Sequence, residues 1–500
     1  MPPADPRTGT PLPAPAESSP DEAAAAIAAA SAAADAVAAV PPRTRASWLV
    51  AIARGLESRA DELAALADEE TALGLPRLAG ELAGAARSLR FYGSVAVEGS
   101  YLRATVNHAT RPECGVPAKP DIRRVQVPLG PVAVFGASNF PFGFGVLGHD
   151  TASALAAGCP VVVKAHPAHP RLSARLAEVA AQALAGIGAP AGALQLVHGF
   201  DAGAILVTDP LVRAVGFTGS QAGGMALWRL AATRPEVIPV YAEMGTVNTV
   251  VVTPAAAARR GAQIAAGFVE SFTRGAGQFC TKPGLLLVPA GADMVAEVGR
   301  ALESAAPRGW LLTEAIAAAY AEGVGRLEDA GAKVVARVPA AGDGWAASPV
   351  VLQADLDRVT AGSPLLEECF GPVAIVVEYP GDPVLTAALP ELPGSLAAGV
   401  HGEDHDDPFL APLVAELSRR CGRVVVNGWP TGVAVGWAQQ HGGPWPATTS
   451  PAHTSVGAAA LDRFTRPVAY QNAPDGALPD ALRDGNPWRL PRRVDGKLNV

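Results

Sequence analysis

Residues Gly130–Ala165 read GPVAVFGASNFPFGFGVLGHDTASALAAGCPVVVKA, and the order of textures in this stretch decides the fold. GPVAVFGA is a short, continuous apolar run, and CPVVVKA is a second. Runs of this length without polar alternation fit strands buried on both faces. TASALAAG between them has the small-residue, helix-forming composition of a crossover. Working outward, a helix is expected over Leu172–Leu184, a strand near Leu194–Val197, another at Val212–Phe217 and a helix from Ser220. Such alternation predicts a parallel, doubly wound α/β sheet. A second α/β region runs from about Val250 to Gly457.

Upstream, Trp48, Leu49, Ile52, Leu56, Leu63 and Leu66 recur at helical spacing, so residues 43 to 96 are expected to be helical. The Ala-rich run Ala23–Val40 has the length of a membrane span, but Asp35 interrupts it and alanine drives insertion weakly. Ser19 as N-cap, Pro20 at the first position and Asp21 and Glu22 in the first turn mark an ordinary helix start. The first sixteen residues are Pro-rich and read as a flexible arm, and DIRRVQVPLG (Asp121–Gly130) reads as an extended one.

At 500 residues the chain exceeds one ordinary core, so two or more domains are expected. Half of it is apolar, 17% is charged and the formal charge is −8, which fits a globular protein without nucleic-acid partners. The five cysteines (Cys114, Cys159, Cys280, Cys369 and Cys421) form no CxxC, which argues against a disulfide framework or zinc site and suits a reducing cytoplasm. No signal peptide or membrane anchor is expected.

Cys280 lies in GAGQFCTKPG among small and polar residues, unlike Cys159 among aliphatics, and so asks for a chemical role. A cysteine hydrolase would need a positioned histidine; His441 and His453 are conceivable, but no protease-like signature surrounds the thiol. GFGVLG (Gly143–Gly148) matches the dinucleotide fingerprint literally, yet it stands off from its strand and no acid follows at the proper distance, so it is read as helix packing. GFTGSQAGG (Gly216–Gly224) opens a helix directly after a strand and suits a phosphate or an ordinary turn. Lys164 ends its strand where such sheets bind ligands, with His166 beyond it. HGEDHDDP (His401–Pro408) and HPAHP (His166–Pro170) have metal-like composition; a solvated loop explains each, and no metal is assigned.

Together FGASNFPFGFG, VVVKAHPAHP, GFTGS, YAEMGTVN, GQFCTKPG and EECFGPV resemble the aldehyde dehydrogenase superfamily in order and spacing over nearly the whole chain. NGWPTGV and HGGPWPATT add similarity to its α-ketoglutaric semialdehyde (2,5-dioxopentanoate) dehydrogenases, with a departure at FPFGFGVLGHD. The resemblance implies two doubly wound α/β domains plus a β-strand oligomerisation arm. The cofactor-binding domain would take 1–110 and 131–247, the catalytic domain 248–457, and the arm and C-terminal tail 111–130 and 458–500. A homodimer or homotetramer follows by the same analogy.

It further implies that Cys280 is the nucleophile, Asn139 an oxyanion donor and Glu243 the general base. Lys164, His166, Gly219, Ser220, Glu368 and Phe370 would bind the cofactor. NADP is expected over NAD, because Pro167 stands where a repelling carboxylate would. The expected reaction oxidises a small aldehyde to an acid, with α-ketoglutaric semialdehyde first. Arg90 and Arg274 are candidates to hold its carboxylate, and Phe142, Phe144 and Trp429 to narrow its tunnel. A broad-specificity enzyme for uncharged aldehydes and a catalytically silent member are the alternatives.

Overall fold

The computed structural model describes residues 3–112, 117–403 and 407–499. Cys114, and Asp404 to Asp406 of the HGEDHDDP stretch, lie outside them.

The strands Leu194–Val197, Val161–Lys164, Val132–Phe135, Ala214–Gly219 and Val240–Met244 lie side by side in that order, all parallel. The Val132–Phe135 and Val161–Lys164 strands, VAVF and VVVK, are buried at every position, as such valine-rich runs require. Strand order reverses beside Val132–Phe135, so the turns that follow it and Ala214–Gly219 open into the ligand crevice of such a sheet. The Pro20–Ala39 helix starts on a Ser19–Glu22 capping box, a device worth about 1 kcal/mol. It is long and apolar enough to cross a membrane. Here it lays Ala23, Ile27 and Ala30 against Ala133 and Val162 of the sheet.

A seven-stranded sheet holds Lys333–Arg337, Val350–Ala354, Val373–Tyr379, Leu285–Pro289, Thr249–Val252, Ser395–His401 and Cys421–Val426, in that order. Only its first pair is antiparallel. In the third sheet Ile122–Pro128 pairs antiparallel with Thr465–Gln471 over seven residues. Thr105–Asn107, Arg492–Val494 and Lys497–Asn499 complete it. The C-terminal residues Leu461, Phe464, Leu478 and Leu482 are buried in the core around Trp48, Leu49 and Tyr92.

One expectation needs correction. The N-terminal residues are not a loose arm. Arg7 reaches Asp68 at 2.8 Å and the Pro6 carbonyl accepts the Trp345 N–H at 2.9 Å, so the segment straps the helical region to the seven-stranded part. Gly143–Gly148 precedes the expected helix, which begins at His149. The glycines serve close backbone packing, since a Cβ at Gly136 would stand 2.6 Å from the Phe144 carbonyl and one at Gly145 would meet the Pro141 carbonyl.

Candidate active site

Cys280 follows the long helix Pro254–Thr273 and a tight turn in which Gly275, Ala276 and Gly277 are all left-handed. For Ala276 that conformation is strained, and the packing around it must hold it. Gly277 is pressed against the Gly371 carbonyl, where any side chain would collide. Asn248 pins the turn from outside, its amide donating to the carbonyls of Cys280 at 2.8 Å and Lys282 at 3.1 Å. Because Asn248 lies just beyond the Val240–Met244 strand, the same contacts bring Glu243 to the thiol.

The thiol meets a partner that sequence patterns did not single out for this role. His441 Nε2 is 3.5 Å from Cys280 Sγ and 3.2 Å from Glu243 Oε1. Ser455 donates its hydroxyl to the other carboxylate oxygen of Glu243 at 2.8 Å. Cys280 is part-buried, whereas Glu243 and His441 are buried. Burial, and then the Glu243 charge, push the Cys280 thiol well above its ordinary range. Burial also acts against the Glu243 anion, but His441 and the hydrogen bonds it accepts outweigh that and hold it below the usual carboxylate value. The pair therefore rests as thiol and carboxylate, with His441 touching both.

Asn139 is buried, and its amide donates to the Gln278 carbonyl at 2.8 Å, two residues before the thiol. Arg77 was not foreseen: its guanidinium donates to the Asn139 carbonyl at 2.6 Å and sits 5.1 and 5.0 Å over the rings of Phe140 and Phe279. It thus couples the neighbour of Asn139 to the neighbour of Cys280.

Glu368 packs its carboxylate on Gly245, whose N–H donates to the Gly219 carbonyl at 3.1 Å. These contacts gather Gly219, Ser220, Glu243 and Glu368 around one end of the parallel sheet. Burial raises the Glu368 carboxyl, with Lys282 opposing. The buried Lys282 ammonium donates to the carbonyls of Cys369, Gly371 and Val373 at 2.8, 3.0 and 2.8 Å, fixing the loop that carries Phe370.

Lys164 lies at the end of its strand with Phe200 over it at 4.7 Å, and burial lowers its ammonium to about 8. Two points there differ from expectation. Burial depresses the His166 imidazole well below its ordinary value, so it stays neutral and adds no positive charge. A carboxylate is also present: the N-terminal segment pairs Ser18 with the His198 backbone, which brings Glu17 beside Gly199 and into the field of Lys164.

The substrate-side candidates are scattered. Arg90 forms a bidentate pair with Glu57 at 2.6 Å, and Arg274 pairs with Glu270 at 2.6 Å, both at the surface. Phe142 is buried in the core, with its N–H donating to Glu81. Trp429 packs on His401 and Phe268. Of the proposed aromatics it is Phe144 that faces the thiol group, edge-on to His441 at 6.1 Å.

Residues 1–468 match the model of the aldehyde dehydrogenase family. The chain belongs to that family. It is similar to "Alpha-ketoglutaric semialdehyde dehydrogenase 2" of Azospirillum brasilense, at 44% identity over 93% of this chain and 89% of the relative. The "Alpha-ketoglutaric semialdehyde dehydrogenase" of Acinetobacter baylyi is 41% identical over 91% and 87%. A solved lactaldehyde dehydrogenase shares the fold at a TM-score of 0.80 and 23% identity, covering 94% of this chain and 95% of that one. The protein is an oxidoreductase that oxidises aldehydes.

Proposed function

We propose that the protein oxidises α-ketoglutaric semialdehyde to 2-oxoglutarate, with Cys280 as nucleophile and NADP as the preferred cofactor. The observation that carries the chemistry is the contact series Cys280–His441–Glu243, at 3.5 and 3.2 Å. The substrate is argued from the two relatives at 44 and 41% identity.

An aldehyde has no alkoxide from which hydride can leave, so a tetrahedral adduct must form first. Cys280 loses its proton to His441, or through it to Glu243, and the thiolate adds to the carbonyl carbon. The oxygen becomes anionic and needs preorganised donors. Asn139 has a second amide hydrogen besides the one given to Gln278, and the Cys280 N–H is the other donor; each is worth about 3 kcal/mol of barrier. The bound cofactor would supply the hydride acceptor. A thioester remains on Cys280, and Glu243 draws a proton from water to cleave it, releasing the acid.

For the cofactor, Gly219 and Ser220 offer a strand-to-helix turn, Glu368 an acceptor for ribose hydroxyls, Phe370 a ring neighbour and Lys164 a cation for the 2′-phosphate. Glu17 tempers that preference and keeps NAD usable. Among the described residues the outer strand Thr465–Gln471 has one unpaired edge, which supports assembly into a homodimer or homotetramer through this sheet. A cytoplasmic location suits the four free cysteines among the described residues.

The test compares kcat/KM for α-ketoglutaric semialdehyde, succinic semialdehyde and an uncharged aldehyde of similar length, each with NADP and NAD. A preference of tenfold or more for the first is expected. Equal turnover of the uncharged aldehyde means a broad-specificity enzyme, and a tenfold preference for NAD rejects the cofactor assignment.

A further inference from the structure

The donor atoms that perform the chemistry also form a cage of another kind. Cys280 Sγ, His441 Nε2 and a Glu243 carboxylate oxygen all lie within 4.8 Å of one another. Two of the three separations are 3.5 Å (sulfur to nitrogen) and 3.2 Å (nitrogen to oxygen). A tetrahedral zinc ion with bonds of about 2.3 Å to sulfur and about 2.0–2.2 Å to nitrogen and oxygen spaces its donors about 3.3–3.6 Å apart. The two separations through His441 therefore match the edge lengths of a zinc tetrahedron.

Two further observations point to a ligand. Glu243 Oε1 is buried and has the His441 contact at 3.2 Å outside good hydrogen-bond geometry, while its twin oxygen is held by Ser455. Zinc-binding carboxylates are commonly steadied in this way by an outer hydrogen bond. The donor set also pairs one thiolate with imidazole and carboxylate, which selects zinc over magnesium or calcium. The metal-like stretches visible in the sequence, HPAHP and HGEDHDDP, contribute none of these atoms.

We infer that Cys280, His441 and Glu243 form a reversible inhibitory site for Zn²⁺. Binding exchanges the thiol proton for the metal: one proton is released, one S–Zn bond forms, and no electrons move. The fourth position goes to water. The bound enzyme has neither a free nucleophile nor a free base, so zinc and aldehyde oxidation exclude one another. The inhibition rests on the aldehyde-oxidising reading; the binding does not.

The experiment titrates the full chain with ZnCl₂ against a chromophoric chelator, with Co²⁺ as a spectroscopic stand-in. One ion per chain, a near-ultraviolet thiolate-to-cobalt band, and at least tenfold weaker binding in Cys280→Ala, His441→Asn and Glu243→Gln are expected. Thermal melts check that each variant is folded. Inhibition of aldehyde oxidation should follow the same zinc concentration and reverse with EDTA, while Mg²⁺ has no effect. Wild-type zinc affinity in His441→Asn, or absence of the cobalt band, overturns the site. Tight binding in a chain that never oxidises aldehydes leaves the site standing and rejects the proposed function.

Discussion

The thiol corner and the Lys164 corner lie toward the same, C-terminal end of the five-stranded parallel sheet and are built on opposite plans. Around Cys280 every reactive group already touches another: His441 lies between thiol and carboxylate, and Ser455 holds the far oxygen. Around Lys164 the cation has an aromatic ring over it and no carboxylate within ion-pair distance among the described residues, with Glu17 acting only from farther off. A matched cluster is a machine for moving protons within itself. An unmatched cation is a receptor for an anion that arrives with the ligand. Losses in the first should be steep, and losses in the second graded.

The steepest should come from Cys280→Ala, which removes the bond-forming atom: aldehyde oxidation falls by roughly 10⁴-fold or more while nucleotide binding and the melting temperature hold. Residual turnover above that level would break the comparison at its centre. Glu243→Gln should cost about 10²–10⁴-fold, the range for general base loss, and mass spectrometry should find an acyl adduct trapped on Cys280.

The pH profile comes next in size. The thiol is raised and Glu243 lowered, so near neutrality the base is already ionised while the nucleophile is still protonated. Rising pH therefore supplies thiolate, and kcat/KM should climb on the alkaline side by up to about tenfold per unit. A flat profile between neutral and alkaline pH would mean that the thiolate is already formed.

The smallest effects belong to the other corner. Lys164→Ala should raise KM for NADP about tenfold, the worth of one charge-assisted hydrogen bond, with kcat little changed. Glu17→Gln should shift the kcat/KM ratio toward NADP by about two- to fivefold, as befits an exposed charge. An effect of Glu17 without one of Lys164 would move the receptor to the N-terminal segment.

The parallel sheet was legible in the sequence because its central strands are buried on both faces and must be written as valine runs. Cys280, Asn139 and Glu243 could be nominated from motif resemblance, and the structure draws Glu243 to the thiol and Asn139 to its turn. His441 escaped that role because the contact spans 161 residues, and the serine that steadies Glu243 is 212 residues away from it. No local pattern records such meetings. Arg90 and Arg274 illustrate the reverse failure. A sequence counts charges but does not say which carboxylate arrives first, and Glu57 and Glu270 do. Glu17 was missed for a related reason: a Pro-rich beginning reads as loose chain until its backbone partners at His198 are seen.

Lys282 stands two residues beyond the nucleophile and grips the carbonyls on both sides of Phe370. The loop that carries the sulfur and the loop that carries Phe370 are thus spaced by one lysine side chain. A four-carbon stem ending in three hydrogen bonds is a stiff ruler. The spacing of those two loops is then set when the chain folds, before any ligand enters.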